Sequence, residues 1–237
     1  MTCLRVKRFI QDPCYCAIAS CAVIANHYNS YITYDITKKI ADKKWHVKNE
    51  GIETSQIGVL LNSLGFKKIT IVSNDLVVFD FSWKDLSRKN MVRKLLDFAK
   101  KNPGYDEVVE NYRKFLLNRK SINKIVIDYD YGPYIRENLD AGRPILFSFN
   151  WTMYFRFSKA CDHNKFDPLQ GEPEIHAVVV YGYDDEGVRI VDSHSEYYKY
   201  SRQKYSTGRY KMKWEHLMNV VTDIVIPSQY SGDENVV

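Results

Sequence analysis

Four of the five cysteines of this chain lie within its first 21 residues, and one of them, Cys16, is placed to act as a nucleophile. The segment that begins at Cys16, CAIASCAVIANHY, is rich in small apolar residues, which is typical of a helix buried within a domain. A cysteine at the start of a helix is activated, because the partial positive charge of the helix N-terminus favours the thiolate. This position predicts covalent catalysis, in which the Cys16 sulfur attacks an acyl carbonyl.

A catalytic thiolate needs a base, a group that orients the base, and donors for the oxyanion. Gln11 precedes Cys16 by five residues, and its amide could reach the same point as the backbone N–H of Cys16. His176 opens the apolar segment HAVVVYGY, and Asp192 closes the next strand-like segment, VRIVD. If these segments form neighbouring antiparallel strands joined by the turn DDEG, the two side chains lie side by side. The sequence therefore predicts His176 as general base, Asp192 as its orienting group and Gln11 as oxyanion donor.

Two other interpretations of the cysteines stay open. Cys14 could replace Cys16 as the nucleophile, although Cys14 precedes the predicted helix and follows Gln11 by only three residues. Cys14 and Cys16 could also supply two of four zinc ligands, with Cys161 and His163 of the segment CDH at residues 161–163 supplying the other two. The C-x-C and C-x-H spacings are tighter than those of most structural zinc sites. We expect neither a metal nor a cofactor.

The composition limits the class of protein. Of 237 residues, 45% are hydrophobic and 27% are charged, values of a soluble globular protein that exclude a disordered or collagen-like chain. The odd number of cysteines favours free thiols in a reducing compartment over a disulfide framework. No apolar run approaches the roughly 18 residues of a membrane span, and the basic N-terminus lacks the apolar core of a secretory signal. We therefore expect a cytoplasmic protein with no membrane partner.

The predicted helices precede most of the predicted strands. Beyond the Cys16 segment, apolar residues recur every three or four positions over about residues 34–44, 54–64 and 84–120. After the early strand KITIVS, alternation predicts strands at KIVIDY, RPILFSFN, IHAVVVYGY, GVRIVD, RYKMK and TDIVI. This order predicts an α+β fold, with an N-terminal helical half packed on a C-terminal antiparallel sheet.

Positive charge is concentrated in one stretch. Residues 84–124 contain 12 Lys and Arg against 5 Asp and Glu, a net charge of +7, whereas the whole chain carries +5. The stretch has helical spacing and contains no recognisable nucleic-acid-binding motif. We interpret it as a solvated helical surface and expect no nucleic-acid partner.

The segments QDPCYCAIASCAVIANHY and IHAVVVYGYDDEGVRIVD together resemble the C39-like branch of the papain-like cysteine peptidases. In that branch a glutamine precedes a nucleophilic cysteine at the start of a helix, and Gln11 and Cys16 match those positions. A histidine then opens an H-A-V-V-V-x-G-Y strand and an aspartate ends the following strand, as His176 and Asp192 do here. The segments GRPI at residues 142–145 and GRYKMKWEHLM near the C-terminus match further family patterns.

The sequence departs from the family pattern at two positions. Ala17 replaces the glycine that usually follows the cysteine, which we expect to alter the oxyanion pocket. Ser193 follows Asp192 where many members have proline, and this leaves the substrate class open. The aromatic stretch WTMYFRF at residues 151–157 precedes the histidine strand, so we expect it either to border the substrate groove or to form a loop on a hydrophobic surface.

The resemblance implies a papain-like fold and a thiol hydrolase that cleaves a peptide or amide bond through an acyl-enzyme on Cys16. The implied substrate is a peptide or protein, or an acyl-bearing small molecule. An acyltransferase with the same Cys/His/Asp triad and a non-catalytic peptide-binding module are the alternatives. The resemblance covers residues 1–75 and 124–226. We therefore predict a single domain over residues 1–227, with a basic helical insertion at about 76–123 and a flexible tail at 228–237.

Overall fold

A computed structural model describes residues 1–45, 47, 51–156, 158–162, 165–194 and 208–232. Its helices are α1 (Cys16–Tyr28), α2 (Tyr34–Trp45), α3 (Thr54–Ser63), α4 (Arg88–Lys101), α5 (Asp106–Leu116), α6 (Tyr131–Asp140), α7 (Trp151–Phe155) and α8 (Trp214–Val220). Its strands are β1 (Thr2–Cys3), β2 (Phe66–Ser73), β3 (Ile122–Ile127), β4 (Ile145–Asn150), β5 (Ala160–Asp162), β6 (Lys165–Phe166), β7 (Ile175–Tyr183), β8 (Gly187–Val191), β9 (Arg209–Lys213) and β10 (Val221–Tyr230).

Over the described residues, the main sheet has eight strands in the order β3-β2-β10-β4-β7-β8-β9, with β1 paired to β7 outside this path. Among the described strands of this sheet, every neighbouring pair is antiparallel except β2 and β3, which are parallel. Parallel neighbours require a crossover connection, and here the chain between them contains α4 and α5. The α+β prediction is confirmed. The architecture differs from the prediction in this parallel edge and in the C-terminal helices α6, α7 and α8, which cover the second face of the sheet.

The segment predicted as an insertion, residues 76–123, thus supplies most of that crossover. It contains a short 3-10 helix (Phe81–Trp83) together with α4 and α5, and it ends inside β3. Several of its apolar side chains reach the main core, among them Met91, Leu95 and Phe115. That the segment is an insertion stays a prediction.

Helices cover both faces of the sheet. Side chains of α1, α3, α4 and α5 form one core against the first face, and side chains of α6, α7 and α8 form a second core against the other. Strand β7 contributes alternately to both, with Val179 in the first core and Val178 and Val180 in the second. A strand that is covered on both faces needs apolar residues at every position, and this explains the unbroken run AVVV.

Helix α1 is the most deeply buried of the elements that position the site. All nine residues from Ala17 to Ala25 are buried, as expected for a segment rich in alanine that allows close approach on several sides. The helix packs on β7, and the Ser20 hydroxyl donates a hydrogen bond of 3.1 Å to the Ala177 carbonyl oxygen. This contact fixes the first turn of α1 beside the first residues of β7.

The predicted flexible tail does not begin at residue 228. The tail predicted to begin at residue 228 is still part of β10, where Ser228 pairs with Lys68 and Tyr230 pairs with Phe66. The Tyr230 ring lies 5.1 Å from the Phe66 ring and 5.4 Å from the Tyr28 ring. One aromatic residue therefore anchors a segment whose polar composition predicted a loose end. Residues 233–237 of the predicted tail lie outside the described residues.

None of the helices in the described ranges has both the length and the apolar composition needed to cross a membrane.

Candidate active site

A tight turn delivers the chain to the start of α1. The backbone N–H of Tyr15 donates to the Asp12 carbonyl oxygen over 3.1 Å, and Cys14 inside this turn has a positive φ of 68°. That left-handed backbone conformation is unusual for a residue with a side chain. Helix α1 then begins at Cys16, so the Cys16 sulfur lies at a helix N-terminus, whereas Cys14 lies outside the helix.

His176 and Asp192 meet at the ends of neighbouring strands. Strands β7 and β8 are antiparallel, with Val179 opposite Val191, so His176 near the start of β7 lies close to the residue that follows β8. The His176 Nε2 lies 2.8 Å from the Asp192 Oδ1, and the two side chains are 3% and 0% exposed. The turn of Asp184 to Gly187 thus brings two residues together that are 16 positions apart.

The Asp192 carboxylate is held by further donors. Its Oδ1 also accepts the backbone N–H of His194 at 2.9 Å, and its Oδ2 accepts the Tyr210 hydroxyl at 3.3 Å. Burial alone would raise the pKa of Asp192, but the charge of His176 and the hydrogen bonds from His176 and from the His194 N–H outweigh it and hold the pKa below the ordinary value of 3.8. The carboxylate is therefore ionised at neutral pH and faces the imidazole as a buried anion.

The Cys16 thiol completes the set from the other side of the imidazole. Because the His176 Nε2 faces Asp192, the other ring nitrogen, Nδ1, is the one available for the hydrogen bond with Cys16. The backbone N–H of Ala177 also donates to the Cys16 sulfur. Together, α1 and β7 supply a helix N-terminus, an imidazole and a backbone donor around one sulfur atom.

The protonation states follow from these contacts. Burial raises the pKa of Cys16. The charge of His176 and the hydrogen bonds from His176 and Ala177 lower it by more than burial raises it, so the pKa lies below the ordinary value of 9.0. Burial lowers the pKa of His176, but Asp192 and the Cys16 thiolate raise it to about 10. The two opposite shifts favour a thiolate–imidazolium pair over a neutral thiol–imidazole pair.

Gln11 lies beside the residue that follows Asp192. Its backbone N–H donates to the Ser193 carbonyl oxygen at 3.1 Å, and its side-chain Oε1 accepts the Ser193 hydroxyl at 2.6 Å. With Oε1 engaged by Ser193, the amide nitrogen of Gln11 is left to donate elsewhere. The structure thus brings all four predicted site residues to one end of the sheet.

Trp151 is a site residue that no sequence motif identifies individually. Its indole stacks on the His176 imidazole, with ring centroids 4.3 Å apart and planes inclined by 14°. It begins α7, two residues after Phe149, which is the β4 partner of His176. The stretch WTMYFRF was predicted to border the substrate groove or to form a loop. Residues 151–155 form a short helix against the histidine, so the loop alternative is wrong for them, whereas a border on the substrate groove stays a prediction. Trp151 can be identified as a site residue only from the pairing of β4 with β7, and predicting that pairing requires knowledge of the strand order in the sheet.

The zinc alternative is only partly within the described residues. His163 lies outside them, and the side chains of Cys161 and Asp162 are not described. Within the ranges that are described, no group of three or more His, Cys, Asp or Glu side chains is arranged to hold a metal ion.

The chain resembles one protein family and one solved structure. A model of the Peptidase_C39 like family matches residues 83–221, more than half of the chain, and this range includes His176 and Asp192 but begins after Cys16. The crystal structure of a candidate C39-like peptidase from Bacillus anthracis aligns with a TM-score of 0.44 and 12% identity, over 98% of this chain and 100% of that chain. No curated protein matches the sequence.

Proposed function

This chain belongs to the Peptidase_C39 like family, and we propose that it is a cysteine peptidase that cleaves a peptide or amide bond through an acyl-enzyme on Cys16. The observation that carries the proposal is the hydrogen-bonded series Cys16, His176, Asp192, which begins at a helix N-terminus and ends in a buried carboxylate. This series supplies an activated nucleophile, a group that can return a proton, and an anion that orients that group. A peptide or protein is the substrate class that the family and the site support.

In the first half of the reaction, the Cys16 thiolate forms a bond to the substrate carbonyl carbon. The carbonyl π electrons move to oxygen, and the resulting oxyanion is stabilised by the backbone N–H of Cys16 and by the amide nitrogen of Gln11. When the C–N bond breaks, the imidazolium of His176 transfers its Nδ1 proton to the departing amine. The products of this half are a free amine and an acyl thioester on Cys16.

In the second half, His176 is neutral and Nδ1 can accept a proton. A water molecule attacks the thioester carbonyl carbon while its proton passes to His176, and the C–S bond then breaks to restore the thiolate and the imidazolium. Throughout, the hydrogen bond between Nε2 and Asp192 holds the imidazole in one orientation and stabilises its charged form. An amine in place of water would give acyl transfer from the same intermediate.

The proposal is tested by searching for new peptide termini. A peptide library derived from a whole proteome is incubated with the wild-type chain in ¹⁸O-labelled water, and products are identified by mass spectrometry. We expect new C-termini that carry ¹⁸O with the wild-type chain and with Cys14→Ser, but not with Cys16→Ser or His176→Ala. Equal products from the wild-type chain and Cys16→Ser would contradict the proposal, and products joined to an amine would identify acyl transfer.

A further inference from the structure

Residues 4–11 follow β1 and precede the turn before α1, and they cross the strands that carry the site; we call them the N-terminal strap. At its start, the Leu4 backbone N–H donates to the Tyr181 carbonyl oxygen of β7 at 2.7 Å. Further along, the Val6 carbonyl oxygen accepts an Arg209 Nη2–H at 2.8 Å, which ties the strap to β9. Hydrogen bonds therefore fix the strap to two strands of the sheet, β7 and β9, before it reaches the site.

At its far end, the strap holds the turn that carries Asp192. Arg8 donates through Nε to the Asp192 carbonyl oxygen at 2.7 Å and through Nη2 to the His194 carbonyl oxygen at 2.5 Å. The Gln11 backbone N–H donates to the Ser193 carbonyl oxygen between them, at 3.1 Å. Three successive carbonyl groups thus accept hydrogen bonds from two strap residues, and one guanidinium spans the outer two.

These bonds restrict the direction in which the Asp192 carboxylate points. The peptide group before Asp192 is held by its N–H, which donates to the Gly208 carbonyl oxygen at 2.7 Å, and the peptide group after it is held by Arg8. Arg8 also fixes the His194 carbonyl, and the His194 N–H donates to the carboxylate itself. The backbone around Asp192 is therefore held on both sides, and one carboxylate donor is held as well.

The Arg8 guanidinium packs closely against Gly208. A Cβ atom added at Gly208 would lie 2.1 Å from the Arg8 Nε, and Gly208 has a φ of 63°, in the left-handed region that favours glycine. Only a residue without a side chain leaves room for Arg8 at this place. The planar fork of arginine can donate to two carbonyl groups at once, whereas the single ammonium of lysine offers no such rigid span.

We propose that Arg8 is a positioning residue, which aims the Asp192 carboxylate at His176 and keeps it in register with Gln11 by bracing residues 192–194 against the strap. This inference rests on the proposed function, because it assigns Arg8 a role in keeping Cys16 ionised. The charged groups that face His176 and Asp192 in the described residues are Cys16 and His194, with the Tyr210 hydroxyl on the carboxylate. Arg8 acts on this set through the backbone.

The test measures the pH dependence of Cys16 alkylation, which needs no substrate. The second-order rate constant for iodoacetamide at Cys16 is measured by peptide mapping for the wild-type chain, Arg8→Lys, Arg8→Met and Gly208→Ala. The exposed neighbour Lys7 provides the control variant Lys7→Met. We expect the acid limb of the profile to move up by about 0.5 pH unit or more in Arg8→Met and Gly208→Ala, because a misaimed Asp192 stabilises the imidazolium less. Arg8→Lys should lie between these and the wild-type chain.

The outcomes separate this inference from the proposed function. A wild-type profile with the acid limb of an ordinary thiol, about pH 8.5, contradicts the proposed function. The wild-type acid limb could instead lie below that value and stay unchanged in Arg8→Lys, Arg8→Met and Gly208→Ala. That result would overturn the positioning role of Arg8, even if the melting temperatures of the variants fall. A shift of equal size in Lys7→Met would also overturn it, because it would attribute the effect to strap charge in general.

Discussion

The His176 Nε2 lies 2.8 Å from the Asp192 Oδ1, at the ends of two antiparallel strands that are neighbours in both sequence and sheet. Both side chains are buried, so solvent does not screen the attraction between imidazolium and carboxylate. This attraction counteracts the effect of burial on His176 and raises its pKa to about 10. The charged imidazole in turn lowers the pKa of Cys16. The ionisation of the nucleophile therefore depends on a carboxylate that acts on it through the imidazole.

Replacement of Asp192 should reduce the thiolate population near neutral pH. In Asp192→Ala the imidazolium loses its buried counter-charge, so we expect the rate of Cys16 alkylation by iodoacetamide at pH 6 to fall by about tenfold or more. At pH 9.5 the rate should approach that of the wild-type chain, because the thiol then ionises without help. Asp192→Asn keeps a hydrogen-bond acceptor and should lie between the two. A pH-independent loss in Asp192→Ala would contradict this dependence.

Replacement of Gln11 should separate oxyanion stabilisation from thiol activation. Gln11→Ala removes an amide donor that is used only when a carbonyl oxygen gains charge, so we expect kcat/KM for a cleaved peptide to fall about 10²–10³-fold. The iodoacetamide rate at Cys16 should stay at the wild-type value, because alkylation forms no oxyanion.

Ser193→Ala provides the matched control for Gln11. It removes the hydroxyl that holds the Gln11 Oε1 but keeps the Gln11 amide. We therefore expect kcat/KM to fall by less than in Gln11→Ala, again with an unchanged alkylation rate at Cys16. Equal losses of peptidase activity and of alkylation rate in Gln11→Ala would show that Gln11 supports the thiolate instead.

Trp151 should maintain the orientation of the His176 ring. Trp151→Ala removes the stacked indole and leaves a cavity in the core, and a large-to-small change of this kind costs about 3 kcal/mol of unfolding free energy or more. It should also raise the acid limb of Cys16 alkylation, because water reaches the imidazole and weakens its attraction to Asp192. Trp151→Phe should preserve the limb at a lower stability cost. Met153→Ala, an exposed change in the same helix, should alter neither quantity.

Asp223 allows a stability test away from the thiol. Its side chain is buried near the Thr54 hydroxyl, which donates to Oδ2 at 3.1 Å, and burial raises the pKa of Asp223 from 3.8 to about 6. A carboxyl group with a raised pKa in the folded state lowers stability as pH rises from about 4 through 6, and the loss is complete above that range. Ionised Asp223 therefore destabilises the fold at pH 8.

Asp223→Asn should relieve this destabilisation. Urea unfolding should show that the advantage of the variant in unfolding free energy grows by about 1 kcal/mol or more between pH 5 and pH 8. An advantage that is the same at both pH values, or that shrinks as pH rises, would contradict the raised pKa.

The sequence was sufficient to predict the closeness of His176 and Asp192 because the pairing is local. A short turn joins β7 and β8, so apolar alternation and the turn residues determine which residues face each other. The position of Cys16 at the start of α1 was also predictable from local sequence, because small apolar residues begin directly after Cys16 and extend along the helix. Both predictions depend on order along the chain and not on the arrangement of distant elements.

The remaining features depend on contacts between distant segments. Trp151 reaches His176 only because β4 lies beside β7, and Arg8 reaches Asp192 only because the N-terminal strap crosses the sheet. Neither position has a local pattern that distinguishes it from an ordinary core tryptophan or surface arginine. The parallel edge of β2 and β3 was missed because an early strand was assigned to a helical half.

Selective labelling of the cysteines shows whether His176 activates Cys16. The chain is treated with limiting iodoacetamide at pH 6, and the modification of Cys3, Cys14 and Cys16 is measured by peptide mapping in the wild-type chain and in His176→Ala. We predict that Cys16 is modified in strong preference to the other two thiols and that His176→Ala abolishes this preference. Similar modification of all three cysteines, unchanged by the histidine substitution, would show that His176 does not activate Cys16.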